Sequence, residues 1–293
     1  MLCRHMLVVY LFLSLIAFVL MYFAMDKYLE SRRPFDNGES CSVEDYTRNI
    51  NLLPNDTEID KMGEDNLTLV YWKYINSIQV LCRNQMRFGD MKDGGKEVCL
   101  DEKYKPKYPC LVYSFGSNFQ FDFELSIIKH FNCEIHTFDP TKSIKSNSIP
   151  NGINFHLFGL SDTNSTNTKG WRMQTLSGIR KHLNHTERVL DILKIDIEGG
   201  EWTAFPEIFQ SGVLKYVKQI CIEIHFGKTS TNHLYYTNWG DVSSKNQLKV
   251  LRNLYEQGFR IFMHEHNLFA QMRFRQPYST ITTVNEISLI NIR

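Results

Sequence analysis

Between residues 110 and 290 strand-like and helix-like segments alternate as one kind of unit, and that alternation restricts the fold more than any other feature of the sequence. The unit is a short apolar run, a stop at a glycine or an acid, and then apolar residues at helical spacing. Runs over 110–115, 134–138, 154–158, 191–197, 217–224, 259–263 and 286–290 predict strands. Helices are predicted between them. Phe121, Leu125, Ile128 and Phe131 recur at helical spacing, as do Phe205, Ile208 and Phe209, with Pro206 in a first turn where proline is tolerated. Leu248, Val250, Leu251, Leu254 and Tyr255 form another such face, closed by Gly258. Strands that are apolar almost throughout are buried on both faces, which requires a largely parallel α/β sheet covered by helices and wound by right-handed crossovers. Ligands of such a sheet bind beyond the carboxyl ends of its strands.

The strand ends therefore carry the functional reading. The first run stops at Gly116, and Gly116-Ser117-Asn118 makes a tight turn into a helix whose free N–H groups can approach a ligand. The second run stops at Asp139, twenty-three residues later, at the spacing from which a carboxylate can accept the hydroxyls of a ribose. The turn has one glycine rather than the three that seat a pyrophosphate, so a phosphate-free nucleoside fits better than NAD. S-adenosylmethionine (SAM) is such a ligand. The fourth run contains Lys194, Asp196 and Glu198 at period two, a polar stripe that is costly in a buried strand unless it is paired or used. The fifth ends in Glu223-Ile224-His225 and the sixth in His264-Glu265-His266. His225 is the first candidate for a general base, with His264 and Glu198 as alternatives.

Taken in order, Asp93-Gly94-Gly95-Lys96, Val112-Tyr113-Ser114-Phe115-Gly116, Thr137-Phe138-Asp139-Pro140, Lys194 through Trp202, and Ile222 through His225 resemble the methyltransferase-like protein 24 group, related to FkbM-type SAM-dependent methyltransferases. The resemblance runs from about Leu67 to the C-terminus. It implies a class I, Rossmann-like methyltransferase fold, with a seven-stranded, mostly parallel sheet whose last strand is antiparallel. It also implies SAM at the Gly116 turn and Asp139, Ser161 and Asp162 near the adenine, and Asp196 near the methionine end. The implied reaction is methyl transfer to a hydroxyl-bearing acceptor, with no metal. Two alternatives remain: a lumenal glycosyltransferase, because Asp196-Ile197-Glu198 imitates a metal-binding D-x-D, and a non-catalytic SAM-binding module. The strand-internal position of that triplet argues against the first. A divalent metal held by Asp196, Glu223 and His225 is a weaker variant of the methyltransferase reading.

The N-terminal quarter differs in kind. Residues 6–25 are apolar apart from Ser14 and two tyrosines, and a twenty-residue helix at about 1.5 Å per residue spans about 30 Å of hydrocarbon. We expect a short cytoplasmic tail (1–5), a transmembrane signal anchor (6–25) in preference to a cleaved signal, an irregular stem (26–66) and a catalytic domain (67–293), with a helix over 67–83. Lys27, Arg32 and Arg33 beyond the span pull the orientation the other way. The sequons at Asn55, Asn66, Asn164 and Asn184 favour a single-pass type II glycoprotein facing the Golgi or ER lumen, or a secreted one if the anchor is cleaved. Among the cysteines, Cys82 and Cys99 flank a glycine-rich loop and are the candidate disulfide. Cys110, Cys133 and Cys221 lie in strand-like runs and read as buried free thiols. A net charge of +1 with no long basic run excludes a nucleic-acid partner recruited by charge.

Overall fold

A computed structural model describes residues 53–91, 94–141, 149–227, 242–267, 271–273 and 280–293. The expected tail, anchor span and most of the stem lie outside these residues. No helix among the described residues is long and apolar enough to cross a membrane.

The predicted strands form one sheet. In chain order the strands among the described residues are β1 (Gln85–Phe88), β2 (Lys96–Cys99), β3 (Leu111–Phe115), β4 (Glu134–Phe138), β5 (Ile153–His156), β6 (Gly159–Leu160), β7 (Ser165–Thr166), β8 (Arg172–Gln174), β9 (Leu190–Ile195), β10 (Val217–His225), β11 (Phe259–His266), β12 (Gln271–Arg273), β13 (Thr280–Thr282) and β14 (Val284–Asn291), and the main sheet is arranged β11-β14-β10-β9-β3-β4-β5. The pairs β3–β4, β4–β5, β3–β9 and β9–β10 are parallel, whereas β14 runs antiparallel to both β10 and β11. This is the mostly parallel sheet with an antiparallel last strand that the resemblance implies. The order reverses between β3 and β9, so a crevice opens at their carboxyl ends.

Two layers cover the sheet. On one face Tyr113, Phe115, Leu193, Ile195, Ile220 and Ile222 join the cluster that holds Trp202 and Phe205 of α5 (Glu201–Gln210) and Leu248, Leu251 and Leu254 of α6 (Ser244–Glu256). The same cluster takes in α2 (Glu64–Ile75) through Leu67, Tyr71, Tyr74 and Ile75. On the other face Val112, Ile135, Ile192 and Cys221 pack against Phe123 and Ile127 of α3 (Asp122–Phe131). Phe88 and Val98 of a hairpin, β1 (Gln85–Phe88) and β2 (Lys96–Cys99), complete that side. The hairpin is docked by Gln219, fully buried in β10, whose carboxamide accepts from Cys99 N at 2.8 Å and donates to Cys99 O at 3.0 Å, as a neighbouring strand would.

Several expectations are corrected here. The stem expected to be irregular to residue 66 is helical from α1 (Asp56–Lys61), because Asn55 and Glu58 form a reciprocal capping box. The helix expected over 67–83 stops at Ile75. The apolar residues that extended the pattern, Ile78 and Leu81, are 43% and 67% exposed. Pro206 lies inside α5 rather than in its first turn, since the helix already begins at Glu201. Cys82 and Cys99 are bonded, as expected, whereas Cys110 and Cys133 are bonded rather than free. The parallel register explains the second bond. Leu111 pairs with Glu134, so the cysteines just before them start adjacent strands side by side, with Cα atoms 4.7 Å apart. Cys221 is the buried free thiol it was expected to be.

Candidate functional site

A cavity of about 580 Å³ opens at the strand tips where the order reverses. Gly116, Ser117, Asn118, Asp139, Asp196 and Glu198 all line it. Gly116 has no substitute in this geometry: its φ is +79°, and a Cβ there would lie 1.6 Å from Asp196 O. The turn continues through Asn118 and Phe119, both at positive φ, a strained arrangement of the kind that clusters at ligand sites. Asp139 holds this turn in place. One of its oxygens accepts from Asn118 N at 2.7 Å, and the other from Thr141 N at 2.8 Å and Thr141 Oγ1 at 2.6 Å.

Register also builds the charged floor of the cavity. Ile222 pairs with Ile195, and Glu223 pairs with Glu286. Asp196, one residue past Ile195, therefore comes level with Glu223 and Glu286, and oxygens of all three lie within 4.8 Å of one another. The cation among them belongs to the protein. Lys96, reaching in from β2 and 1% exposed, pairs with Glu286 and lies 3.5 Å from Asp196 Oδ2. Burial and the neighbouring Asp196 and Glu286 carboxylates push Glu223 up to about 8. Burial disfavours the Asp196 carboxylate as well, but Lys96 and Lys194 outweigh it and hold that group down at about 2.

The triplet 196–198 follows β9 rather than lying inside it, so strand position does not separate it from a D-x-D motif, contrary to the sequence argument. The local chemistry does separate them, because Asp196 is already committed to the Lys96 ammonium. Glu198 leaves the period-two stripe in a left-handed turn at φ 56°, and its side chain is 72% exposed.

His225 lies below the cavity rather than in its lining and is 1% exposed. Its Nδ1 is 2.9 Å from Glu201 Oε1, and its Nε2 is 3.4 Å from Glu223 and 3.5 Å from Glu198. Burial opposes the imidazolium, yet the hydrogen bond and charge of Glu201, helped by Glu223, raise the group to about 9. Glu201 is fully buried and also accepts from the backbone N–H of His225 and of Gly199, so it ties the turn after β9 to the end of β10. His264 is not in the lining either. It lies on β11, with β14 between it and β10, and Nε2 is 3.3 Å from Asn285 Oδ1. Burial and the adjacent His266 lower it to about 4.

Ser161 and Asp162 are also outside the lining. Ser161 bonds to Gln174 O and to Asp162, and Asp162 borders a separate depression with Trp202 and Pro206. That side of the cavity is formed instead by Gly159, Leu160 and the small hairpin of β7 (Ser165–Thr166) and β8 (Arg172–Gln174), through Asn167, Lys169, Trp171 and Met173. Sequence reasoning missed this wall because the Ser/Thr/Asn-rich stretch looks like an ordinary surface loop. It missed Lys96 and Glu201 because their partners lie on distant strands.

The strand order, the glycine turn after β3 and the buried acid after β4 define an α/β domain of the class I methyltransferase fold. The chain belongs to the methyltransferase-domain family Methyltransf_22, which it matches over residues 51–278. It is similar to the Homo sapiens protein called "Probable methyltransferase-like protein 24", 23% identical over 247 residues covering 76% of this chain and 64% of that one. The Rattus norvegicus protein of the same name is 24% identical with the same coverage. The chain thus spans about 64% of the length of these relatives. Among solved structures it is similar to an rRNA methylase from Streptococcus thermophilus, with a TM-score of 0.36, 11% identity and coverage of 64% of this chain and 90% of that one. The plantazolicin methyltransferase BpumL, solved with S-adenosylhomocysteine, gives a TM-score of 0.37, 12% identity and coverage of 64% and 77%.

Proposed function

We propose that this domain is a SAM-dependent methyltransferase that modifies a hydroxyl on a glycan, secreted peptide or small molecule of the secretory pathway. The observation that carries the cofactor reading is the cavity itself, open between the Gly116 turn and Asp139, with a single glycine in that turn. Its charge fits SAM. Glu124, Asp139, Asp196 and Glu198 line it against Lys169 and Lys194, an excess of carboxylates suited to a cationic ligand, while Glu223 in the same lining keeps its proton at neutral pH. Asp139 would hold the ribose, the backbone at Gly116 would approach the ligand closely, and Trp171 and Met173 offer the apolar surface an adenine needs.

When bound, SAM supplies a methyl carbon on positively charged sulfur, so transfer to an acceptor oxygen breaks the C–S bond, leaves its electron pair on sulfur as a neutral thioether and forms a C–O bond. The protein's share is alignment, exclusion of water and removal of the hydroxyl proton. His225, protonated and enclosed by carboxylates, has no lone pair to receive that proton. We assign the base to Glu223, which lines the cavity and is tuned into the working range, and give His225 and Glu201 the task of positioning it.

Two disulfides and exposed asparagines at all four sequons support a lumenal or extracellular body, and the apolar run over 6–25 supports anchorage as a type II protein. The cofactor reading is tested by calorimetry with S-adenosylhomocysteine on the full-length chain. Wild type is expected to bind, and Asp139→Ala to weaken binding at least about tenfold, the cost of losing charge-assisted hydrogen bonds. A wild-type chain that gives no heat and no thermal shift rejects the reading.

A further inference from the structure

Among the described residues, Glu124 is the carboxylate with both oxygens buried and neither hydrogen-bonded. It is 1% exposed and it lines the cavity. Its position makes this unusual. Glu124 is the third residue of α3, from which a glutamate ordinarily turns back onto the N-cap amide, and here Phe121 caps the helix with no side-chain bond. A buried carboxylate without donors costs stability, so a chain that keeps one at a cavity wall gains where a ligand supplies the donors.

The neighbours indicate which part of a ligand that is. Asp139, at the β4 tip, accepts from Asn118 N, Thr141 N and Thr141 Oγ1 and keeps acceptor capacity for the sugar. Glu124 sits on the side backed by the turn of the β1–β2 hairpin. A Cβ on Gly89 would lie 3.0 Å from Phe123 N, and the nearest atom to Gly94 is Gln120 Oε1. Two unmet carboxylate oxygens match a compact group with a positive charge and several N–H donors, which is an ammonium. Lys194 lies in the same lining, with its ammonium 3.5 Å from Gly116 O, and is the cation that would meet a ligand carboxylate. An ammonium and a carboxylate together are the amino-acid end of the cofactor. Resting on the SAM reading above, we propose that Glu124 binds the ligand's α-ammonium and so makes the cleft discriminate between adenosyl compounds that carry an amino-acid tail and those that lack one.

The test is calorimetry on the full-length chain with two probes, S-adenosylhomocysteine and 5′-methylthioadenosine, which lacks the amino-acid end. Glu124→Gln is expected to weaken the first about tenfold or more and the second less than about twofold, as loss of one charge-assisted contact predicts. The ligand-free melting temperature should hold or rise, because the isosteric amide replaces a carboxyl group whose buried oxygens have no donors. A residue that merely supports the wall would weaken both ligands together and lower the melting temperature, and that result overturns the proposal. So does unchanged homocysteine-ligand affinity. Should Glu124→Gln fail to fold, Glu124→Asp, which keeps the charge and shortens its reach, must give the same selective loss. A wild-type chain that binds neither probe overturns the cofactor reading itself, whereas a Glu124→Gln chain that binds both probes as tightly as wild type overturns only this assignment.

Discussion

Glu223 and His225 lie two residues apart on β10 and both hold protons at neutral pH, for different reasons. Glu223 is protonated because burial, Asp196 and Glu286 disfavour its charge, and His225 because Glu201 accepts from its ring. The kinetic consequence is that a Glu223 base works only when ionised, so the rate should climb with pH until about 8 and then level. Glu223→Gln should lower kcat by about 10²–10⁴-fold with a smaller effect on cofactor binding, as removal of a general base does. Stability moves the opposite way. Glu223 rises from its ordinary 4.5 to about 8 on folding, and His225 from 6.5 to about 9, so between those values the folded state holds the extra protons. The stabilisation from each is complete below the ordinary value and is lost as pH rises through the folded one. Melting temperature is therefore expected to fall from pH 6 to pH 9, and Glu223→Gln to flatten that slope. An equally steep profile in the variant would remove Glu223 from the account.

At the level of the elements, the strands were legible because each is a run of apolar residues with a chemical stop, and the glycine and acids at those stops do line the cavity. What stayed hidden depends on register. Nothing in the local sequence says that Leu111 lies beside Glu134, and without that pairing Cys110 and Cys133 read as thiols rather than a bond. The same holds for the charged floor, where Lys96 meets Glu286 across most of the chain. The β1–β2 hairpin was hidden for another reason: Gln85, Met86 and Arg87 are partly or wholly exposed and give no clean alternation. The Cys110–Cys133 bond closes a sequence separation of 23 between two core strands that are already hydrogen-bonded. Replacing both cysteines with serine should cost about 3 kcal/mol, the loop-closure value for this length, and leave the fold intact because Leu111, Val112 and Ile135 remain buried. Urea unfolding measures it. A loss near zero would mean that the paired strands already restrict the unfolded chain as much as the bond does.

For the whole molecule, charge and chemistry pull the topology in opposite directions. The basic residues after the apolar run, Lys27, Arg32 and Arg33, would retain the body in the cytosol. The body carries two disulfides, which persist in an oxidising compartment and not beside cytosolic thiols. We propose that the disulfides outweigh the charges, since a few basic residues bias insertion whereas a reducing compartment removes the bonds outright. The expected outcome in microsomes is a protease-protected body whose mass falls on glycosidase treatment. The sequons need not be equivalent. Asn66 and Asn184 are exposed. Asn55 uses its carbonyl oxygen to cap α1 and leaves the nitrogen for a sugar. Asn164 is folded onto Thr175 N at 3.0 Å, and its carboxamide is so close to Gly178 of α4 (Leu176–His182) that a Cβ there would lie within 3.5 Å of its nitrogen. The folded contact ties up the Asn164 carboxamide, so mass mapping should find Asn164 the least occupied of the four sites. A body digested by external protease, with all four asparagines bare and both bonds reduced, would place the domain on the cytosolic side instead.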